Sequence, residues 1–279
     1  MNVRVYWNGS IKPLEDVRIS PLDRGYLFGD GVYEVIRIYG GRLFAAERHW
    51  ARLARSLREL SIAPEPEAEG LEQAIMTLIH EEGIHDGIAY VQVTRGEAPR
   101  THAFPNPAPW PNVLAYVQPY PRPEAIMRGG RAVLVPDIRW HRVDIKTVNL
   151  LGNVLAKQRA QEAGADEAIL HRGEIVTEGS ASNVFIVRGG IVFTHPATTA
   201  ILNGITRQLV LELLQAQGVP VVERPFTVEA LWAADEVWIT STTAEVTPIV
   251  EIDRVPIASG RIGPVTSLVR DAFMAAVAR

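Results

Sequence analysis

Short runs of alternating apolar and polar residues fill the first third of the chain, broken by turns that carry glycine. VRVYW, ending at Trp7, reads as a strand, and Asn8, Gly9 and Ser10 as the turn into a second. Residues 31–46 form a hairpin pattern bent at Gly40 and Gly41. Over residues 46–60 the period changes. Leucines at 53, 57 and 60 repeat at helical spacing, which predicts a helix. A second helix is expected over residues 67–82, then strands at 88–95 and 112–120.

Residues 119–125 hold three prolines, each of which fixes φ and removes a donor, so this stretch reads as an extended connector. It separates an N-terminal α/β domain, residues 1–118, from a second domain, residues 126–279. The second part predicts a strand at 131–140, a helix at 149–164, a strand at 167–173 and a hairpin at 183–195 bent at Gly189 and Gly190. A helix at 204–218, a strand-rich stretch at 235–253 and a closing helix at 265–278 complete it. Strands, helices and hairpins interleave in both parts. The expected fold class is therefore α/β with α+β character, in two domains with mixed, largely antiparallel sheets.

Composition narrows the possible partners. The 279 residues carry a net charge of −4, with 47% hydrophobic and 22% charged residues. No basic run stands out, so nucleic acid and anionic membrane surfaces are not expected partners. Cysteine is absent, which excludes disulfides and thiolate metal sites. The opening residues do not read as a signal peptide, and no apolar run approaches the roughly 20 residues of a membrane helix. A cytoplasmic location is the expectation. FGDG, residues 28–31, lacks the third glycine of a dinucleotide loop and precedes a strand pattern. His80 and His85 are five apart, so they diverge on a helix and make a poor zinc pair. No metal site is expected.

The lysines carry more information. Only Lys12, Lys146 and Lys157 occur, against 25 arginines. Arginine keeps its proton at ordinary pH, so an amine nucleophile has few sources here. Lys146 stands between a strand pattern and a helix pattern, a junction that leaves a side chain either on the surface or at a cleft. Further on, Glu178 stands in a Gly- and Ser-rich stretch read as a turn between strands. Asn203, Gly204, Ile205 and Thr206 precede a helix, whose start offers either a cap or an anion site. Ser241, Thr242 and Thr243 bring three hydroxyls to a strand end.

Taken in this order, DIKTVNLLGNVLAKQ, EIVTEGSASNVF, ILNGITRQ and ITSTTAEVTPI, with DRGYLFGDGVYEVIRIYGG near the start, resemble the fold-type IV pyridoxal-phosphate enzymes. These include branched-chain aminotransferases, D-amino acid aminotransferases and aminodeoxychorismate lyases. The resemblance runs from about residue 5 to about residue 269. It implies pyridoxal 5′-phosphate as cofactor, bound covalently by Lys146, with Glu178 on the pyridine nitrogen. It implies Arg52 on the phosphate, together with the N–H groups of Ile205 and Thr206 and the hydroxyls of Thr206, Ser241 and Thr242. Arg100 and His102, in RTHAF, are similar to the pair that binds the substrate carboxylate in the D-amino acid aminotransferases, together with a tyrosine matching Tyr33. The implied activity is ping-pong transfer of an amino group from a D-amino acid such as D-alanine to a 2-oxo acid such as 2-oxoglutarate. The alternatives are an L-branched-chain aminotransferase, an (R)-amine transaminase or, further off, an aminodeoxychorismate lyase. Family members are usually homodimers, which is the expectation here.

Overall fold

The structure is a computed structural model that describes residues 3–278. Residue contacts divide the chain into two units, one of Met1–Pro121 with Ile145–Asn149, the other of Arg122–Asp144 with Leu150–Arg279. The five residues around Lys146 thus belong to the first unit, although they lie inside the stretch 126–279 that the sequence assigns to the second domain.

The first unit contains strands β1 (Arg4–Trp7), β2 (Ser10–Pro13), β3 (Gly31–Tyr39), β4 (Arg42–Leu43), β5 (Gly87–Thr94) and β6 (Asn112–Pro119). Its helices are α1 (Arg24–Phe28), α2 (Ala46–Glu59) and α3 (Ala68–Glu81). The sheet order is β2-β1-β6-β5-β3-β4, antiparallel throughout. Alternation puts Val32, Ile36, Ala89, Val91, Val113 and Ala115 on one face. There they pack with Leu53 and Leu57 of α2 and with Leu71, Ile75 and Leu78 of α3.

The FGDG stretch is part of a fastening. Asp23 caps α1 by accepting from the N–H groups of Gly25 (2.7 Å) and Tyr26 (3.2 Å). Its other oxygen accepts from Thr94 Oγ1 on β5 and Asn112 Nδ2 on β6, both at 2.7 Å. Gly29 ends α1 at φ 68°, the left-handed region that suits glycine. Asp30 then bridges Arg24 (2.8 Å) and Arg95 (2.7 Å).

Glu34 breaks the apolar pattern of the core face. It is fully buried on β3. Arg52 Nε and Nη2 on α2 donate to its two oxygens at 2.7 and 2.8 Å, and His49 Nδ1 lies 2.7 Å from Oε2. Burial favours the neutral acid, but Arg52 and His49 outweigh it and hold Glu34 at about 2. Burial also holds His49 below its ordinary value, so the neutral ring donates from Nδ1–H to the carboxylate. One carboxylate therefore fixes where Arg52 points.

The second unit contains α4 (Ala125–Arg128), β7 (Gly130–Pro136), α5 (Leu151–Glu162), β8 (Glu167–Arg172), β9 (Ile175–Gly179), β10 (Asn183–Arg188) and β11 (Ile191–Thr194). It continues with α6 (Ile205–Ala216), β12 (Val221–Glu223), β13 (Phe226–Thr227), α7 (Val228–Trp232), β14 (Glu236–Ser241), β15 (Glu245–Ile252), β16 (Val255–Pro256) and α8 (Pro264–Val277). The sheet is mixed, in the order β12-β11-β10-β14-β15-β7-β8-β9-β13, with β16 on β15. Five strand spacings separate β10 from β9 along this path, about 24 Å if the sheet were flat. The chain joins β9 to β10 through residues 180–182 alone, a reach of at most about 14 Å. The sheet therefore curls until β9 lies beside β10, as the bond from Gly179 N to Ser182 O (2.6 Å) records. Ala132, Ile169, Val176, Val184, Ile239 and Ile249, one from each of the six curled strands, share the core inside. On the opposite side of β10 and β14, Phe185 stacks on Trp238 at 5.2 Å.

Replacing Glu34 with glutamine removes the buried anion on which Arg52 and His49 converge, a loss of about 3–5 kcal/mol. Glu34 sits below its ordinary 4.5, so its contribution is complete above pH 4.5 and disappears as pH falls towards 2. Urea unfolding should show Glu34→Gln far less stable than the parent at pH 7, with the gap narrowing by pH 3. Equal midpoints at pH 7 contradict the clamp.

Candidate active site

Lys146 is held against β3 by its backbone. Tyr33 N donates to Lys146 O and Val148 N to Gly31 O, both at 3.0 Å, so Thr147 bridges Val32 like a short extra strand. Lys146 N reaches Ser56 Oγ on α2 at 3.4 Å. Ser56 stands four residues after Arg52, so both lie on one helix face. The Lys146 ammonium lies over the Tyr33 ring, 4.1 Å from its centroid. Tyr33 stacks on Tyr90 at 5.8 Å, and Tyr90 on Tyr116 at 5.0 Å. Burial raises the Tyr90 hydroxyl above its ordinary pKa, and that hydroxyl donates to Gln92 at 2.7 Å. A partly buried amine against an aromatic ladder is thus fixed by its backbone on a sheet edge. The helix predicted from residue 149 begins at Leu151, which leaves Lys146 outside it, at the centre of a tight turn closed by Thr147 N donating to Ile145 O at 2.8 Å.

Arg100 and His102 pack on α1. The Arg100 guanidinium lies 5.2 Å from the Phe28 centroid, and the His102 ring meets Phe28 edge-on at 5.7 Å. Arg24 Nη1 holds the loop between them through Thr101 O at 2.7 Å. Both side chains are exposed. Among the described residues, no hydrogen bond or ion pair joins either to Tyr33 or Lys146.

Glu178 is the penultimate residue of β9 and not part of a turn, as the Gly- and Ser-rich sequence implied. Gly179 still pairs with Ile169 of β8, and the turn begins only after it. Glu178 is 4% exposed, and its carboxylate accepts three hydrogen bonds. Arg139 Nη1 donates to Oε1 at 2.6 Å. Asn183 Nδ2 and Leu202 N donate to Oε2 at 2.9 and 3.0 Å. Arg139 is itself gripped by Asp137, whose oxygens accept from Nε and Nη2 at 2.9 Å each. Burial pushes Glu178 up to about 7, against the downward pull of Arg139. For Asp137 the balance reverses: burial raises it, but Arg139 and Arg172 outweigh burial and lower it.

Asn183 ties three elements together. Its amide also donates to Leu202 O at 2.8 Å, and it pairs with Thr240 of β14. A Cβ on Gly204 would fall 2.2 Å from Asn183 Oδ1, so the chain entering α6 touches the same side chain. Gly204 caps α6 without a side-chain hydrogen bond. The N–H groups of Ile205 and Thr206 thus begin a twelve-residue helix whose cap residue is a glycine with no side chain to offer, an arrangement that favours an anion. Ser241 and Thr242 follow directly on Thr240.

The first unit therefore brings Tyr33, Arg52 and Lys146 together and leaves Arg100 and His102 on α1. The second ties Glu178 and the chain entering α6, just ahead of Ile205 and Thr206, to Asn183, whose β14 partner Thr240 precedes Ser241 and Thr242. Sequence reading missed Arg139, Asp137 and Asn183 behind Glu178, and Glu34 behind Arg52. The Asp-x-Arg spacing of residues 137–139 puts both side chains on one face of an extended chain, the signal available for the first pair. Among the described residues, no cluster of His, Cys, Asp and Glu fits a metal, and no helix is long and apolar enough to cross a membrane.

The model of the amino-transferase class IV family matches residues 31–252. A D-alanine aminotransferase of Staphylococcus epidermidis is 45% identical over 271 residues, covering 97% of this chain and 96% of that one. One from Listeria monocytogenes is 45% identical over 280 residues, covering 99% and 97%. Among solved structures, the Escherichia coli branched-chain amino acid aminotransferase superposes with a TM-score of 0.91 at 26% identity, over 99% of this chain and 94% of that one. On the strength of the family match and these near full-length relatives, the chain belongs to the class IV aminotransferases.

Proposed function

We propose that this chain is a pyridoxal-phosphate-dependent D-amino acid aminotransferase. Its substrates are small D-amino acids such as D-alanine and 2-oxo acids such as 2-oxoglutarate. The observation that carries the reading is the held carboxylate of Glu178. A carboxylate has about four acceptor sites, and protein donors take three of them. One acceptor position remains for a pyridine N–H. The glycine-capped start of α6, with the hydroxyls of Thr206, Ser241 and Thr242, fits a phosphate. The identity to D-alanine aminotransferases over nearly the whole chain supports D-amino acids.

When bound, the cofactor supplies a carbonyl that takes up the amino group and a ring that accepts the electrons of the Cα–H bond. Lys146 would hold it covalently, and its released amine would take the proton from the substrate Cα as general base and, as general acid, deliver it to the cofactor carbon that had carried the carbonyl. Glu178 keeps the ring nitrogen protonated. Among protein groups alone burial holds Glu178 near 7, and a ring cation beside it favours the carboxylate form. Arg52, aimed by Glu34, joins the N–H groups of Ile205 and Thr206 on the phosphate. Tyr33, Arg100 and His102 bind the substrate carboxylate, Arg100 through its planar fork. The chain acts as a cytoplasmic homodimer. Leu151, Val154 and Leu155, exposed at helical spacing on α5, form an apolar stripe suited to a second copy.

Borohydride reduction of the holoenzyme and peptide mapping should place the label on the peptide that contains Lys146. Label on Lys12 or Lys157 contradicts the assignment. Arg100→Ala should weaken the D-alanine half-reaction by about 1.5–3 kcal/mol, the worth of a hydrogen bond to a charged group. (R)-1-phenylethylamine, which has no carboxylate, should lose little. Equal losses for both substrates return Arg100 to the surface and favour the L-branched-chain reading.

A further inference from the structure

Glu167, the first residue of β8, is a buried carboxylate, 4% exposed, that the proposed chemistry does not use. Among the described residues it has no cationic partner. Its donors are two hydroxyls and one peptide. Ser180 Oγ donates to Oε1, Ser182 Oγ donates to Oε2 at 2.8 Å, and Ala168 N donates to Oε1 at 2.9 Å. Both serines lie in the three-residue turn that joins β9 to β10, where the curled sheet closes. The turn leaves no slack. Gly179 N donates to Ser182 O and Ser180 N to Ala168 O at 2.9 Å, and Asn153 Nδ2 on α5 donates to Ser180 O at 2.8 Å. A Cβ on Gly179 would fall 2.1 Å from Ser182 Oγ and 3.3 Å from the Glu167 carboxyl carbon. Glu178 stands immediately before this turn and Asn183, which donates to Glu178, immediately after it.

We propose that Glu167 is a positioning residue for the aminotransferase reaction, locking the 180–182 turn so that Asn183 meets Glu178. The proposal rests on the assignment of Glu178 to the cofactor ring. A carboxylate only accepts hydrogen bonds here, so both serine hydroxyls turn their hydrogens towards it and each loses its rotational choice. With both ends of the turn tied to β8, the Asn183 amide keeps its 2.9 Å bond to Glu178. Without that tie, the turn relaxes at the seam and Glu178 loses one of its three donors. Geometry does this work and charge does not. A glutamine at 167 accepts from Ser180 and Ala168 N through its oxygen and donates to Ser182 through its nitrogen, since a hydroxyl also accepts.

The test compares Glu167→Ala, Glu167→Gln and Glu178→Gln, and the double variant Glu167→Ala with Glu178→Gln, all as holoenzymes. The readouts are thermal midpoint, pyridoxal phosphate affinity of the apoenzymes, and the D-alanine half-reaction resolved into maximal rate and apparent KM. Glu167→Ala should lose about tenfold in cofactor affinity and about tenfold in maximal rate, the scale of one hydrogen bond to a charged group, with KM little changed. Glu167→Gln should stay within about threefold of the parent on that same scale. The double variant should be no worse than Glu178→Gln alone, because the two substitutions damage one interaction. A lower thermal midpoint with parental affinity and rate makes Glu167 merely structural and overturns the proposal. So does a glutamine variant as damaged as the alanine one. If Glu178→Gln is impaired and Glu167→Ala is not, the proposal fails and the role of Glu178 stands. If neither is impaired, both fall. Should Glu167→Ala not fold, Ser182→Ala, which leaves the carboxylate two donors, is read by the same criteria.

Discussion

Three residues between β9 and β10 decide the form of the second unit. They are too few to cross a flat sheet of that strand order, so the strands curl and close on themselves. Closure puts the end of β9 against the start of β10 and buries Glu178 at the join. A carboxylate cannot be left there without donors, and Arg139, Asn183 and Leu202 N supply them. Asn183 in turn touches the loop entering α6 and pairs with Thr240 of β14, so the start of α6 and the end of β14 are both tied to the same residue.

Two of the buried glutamates, Glu34 and Glu178, stand in opposite electrostatic settings. Glu34 meets a bidentate arginine and a histidine and is held at about 2. Glu178 meets one arginine that it shares with Asp137, and burial prevails, near 7. Glu34 is therefore a fixed anion that aims Arg52 within the first unit. Glu178 is poised, its charge settled by whatever cation comes to its open acceptor position. Residue type alone does not separate these roles; the number of cations per carboxylate does.

Much of this was legible in the sequence where one stretch of chain carries the signal. The leucine spacing of α2 and the double-glycine bends at 40–41 and 189–190 announced those elements. The motifs around Lys146, Glu178, Ile205 and Ser241 pointed to the family that the chain belongs to. What was not legible depends on partners far apart in sequence. Arg139 reads as the end of a strand until Glu178, 39 residues on, accepts from it. Residues 145–149 are too short to show a period, so nothing in them indicated that they would bond to β3. The glycine and serine after Glu178 suggest a turn, whereas Gly179 is a strand residue whose missing Cβ clears Ser182. The five residues of α1 fall below any helical repeat, and Asp23, not periodicity, makes them a helix.

The most direct test of the proposed activity is a single-turnover half-reaction of the holoenzyme with matched D- and L-isomers of alanine, glutamate and leucine, followed through the absorbance of the bound cofactor. The expected result is rapid conversion by D-isomers, with D-alanine or D-glutamate in front, and little or none by their L-counterparts. Faster conversion by L-leucine than by any D-isomer would contradict the assignment and make the chain a branched-chain enzyme in activity as well as in fold.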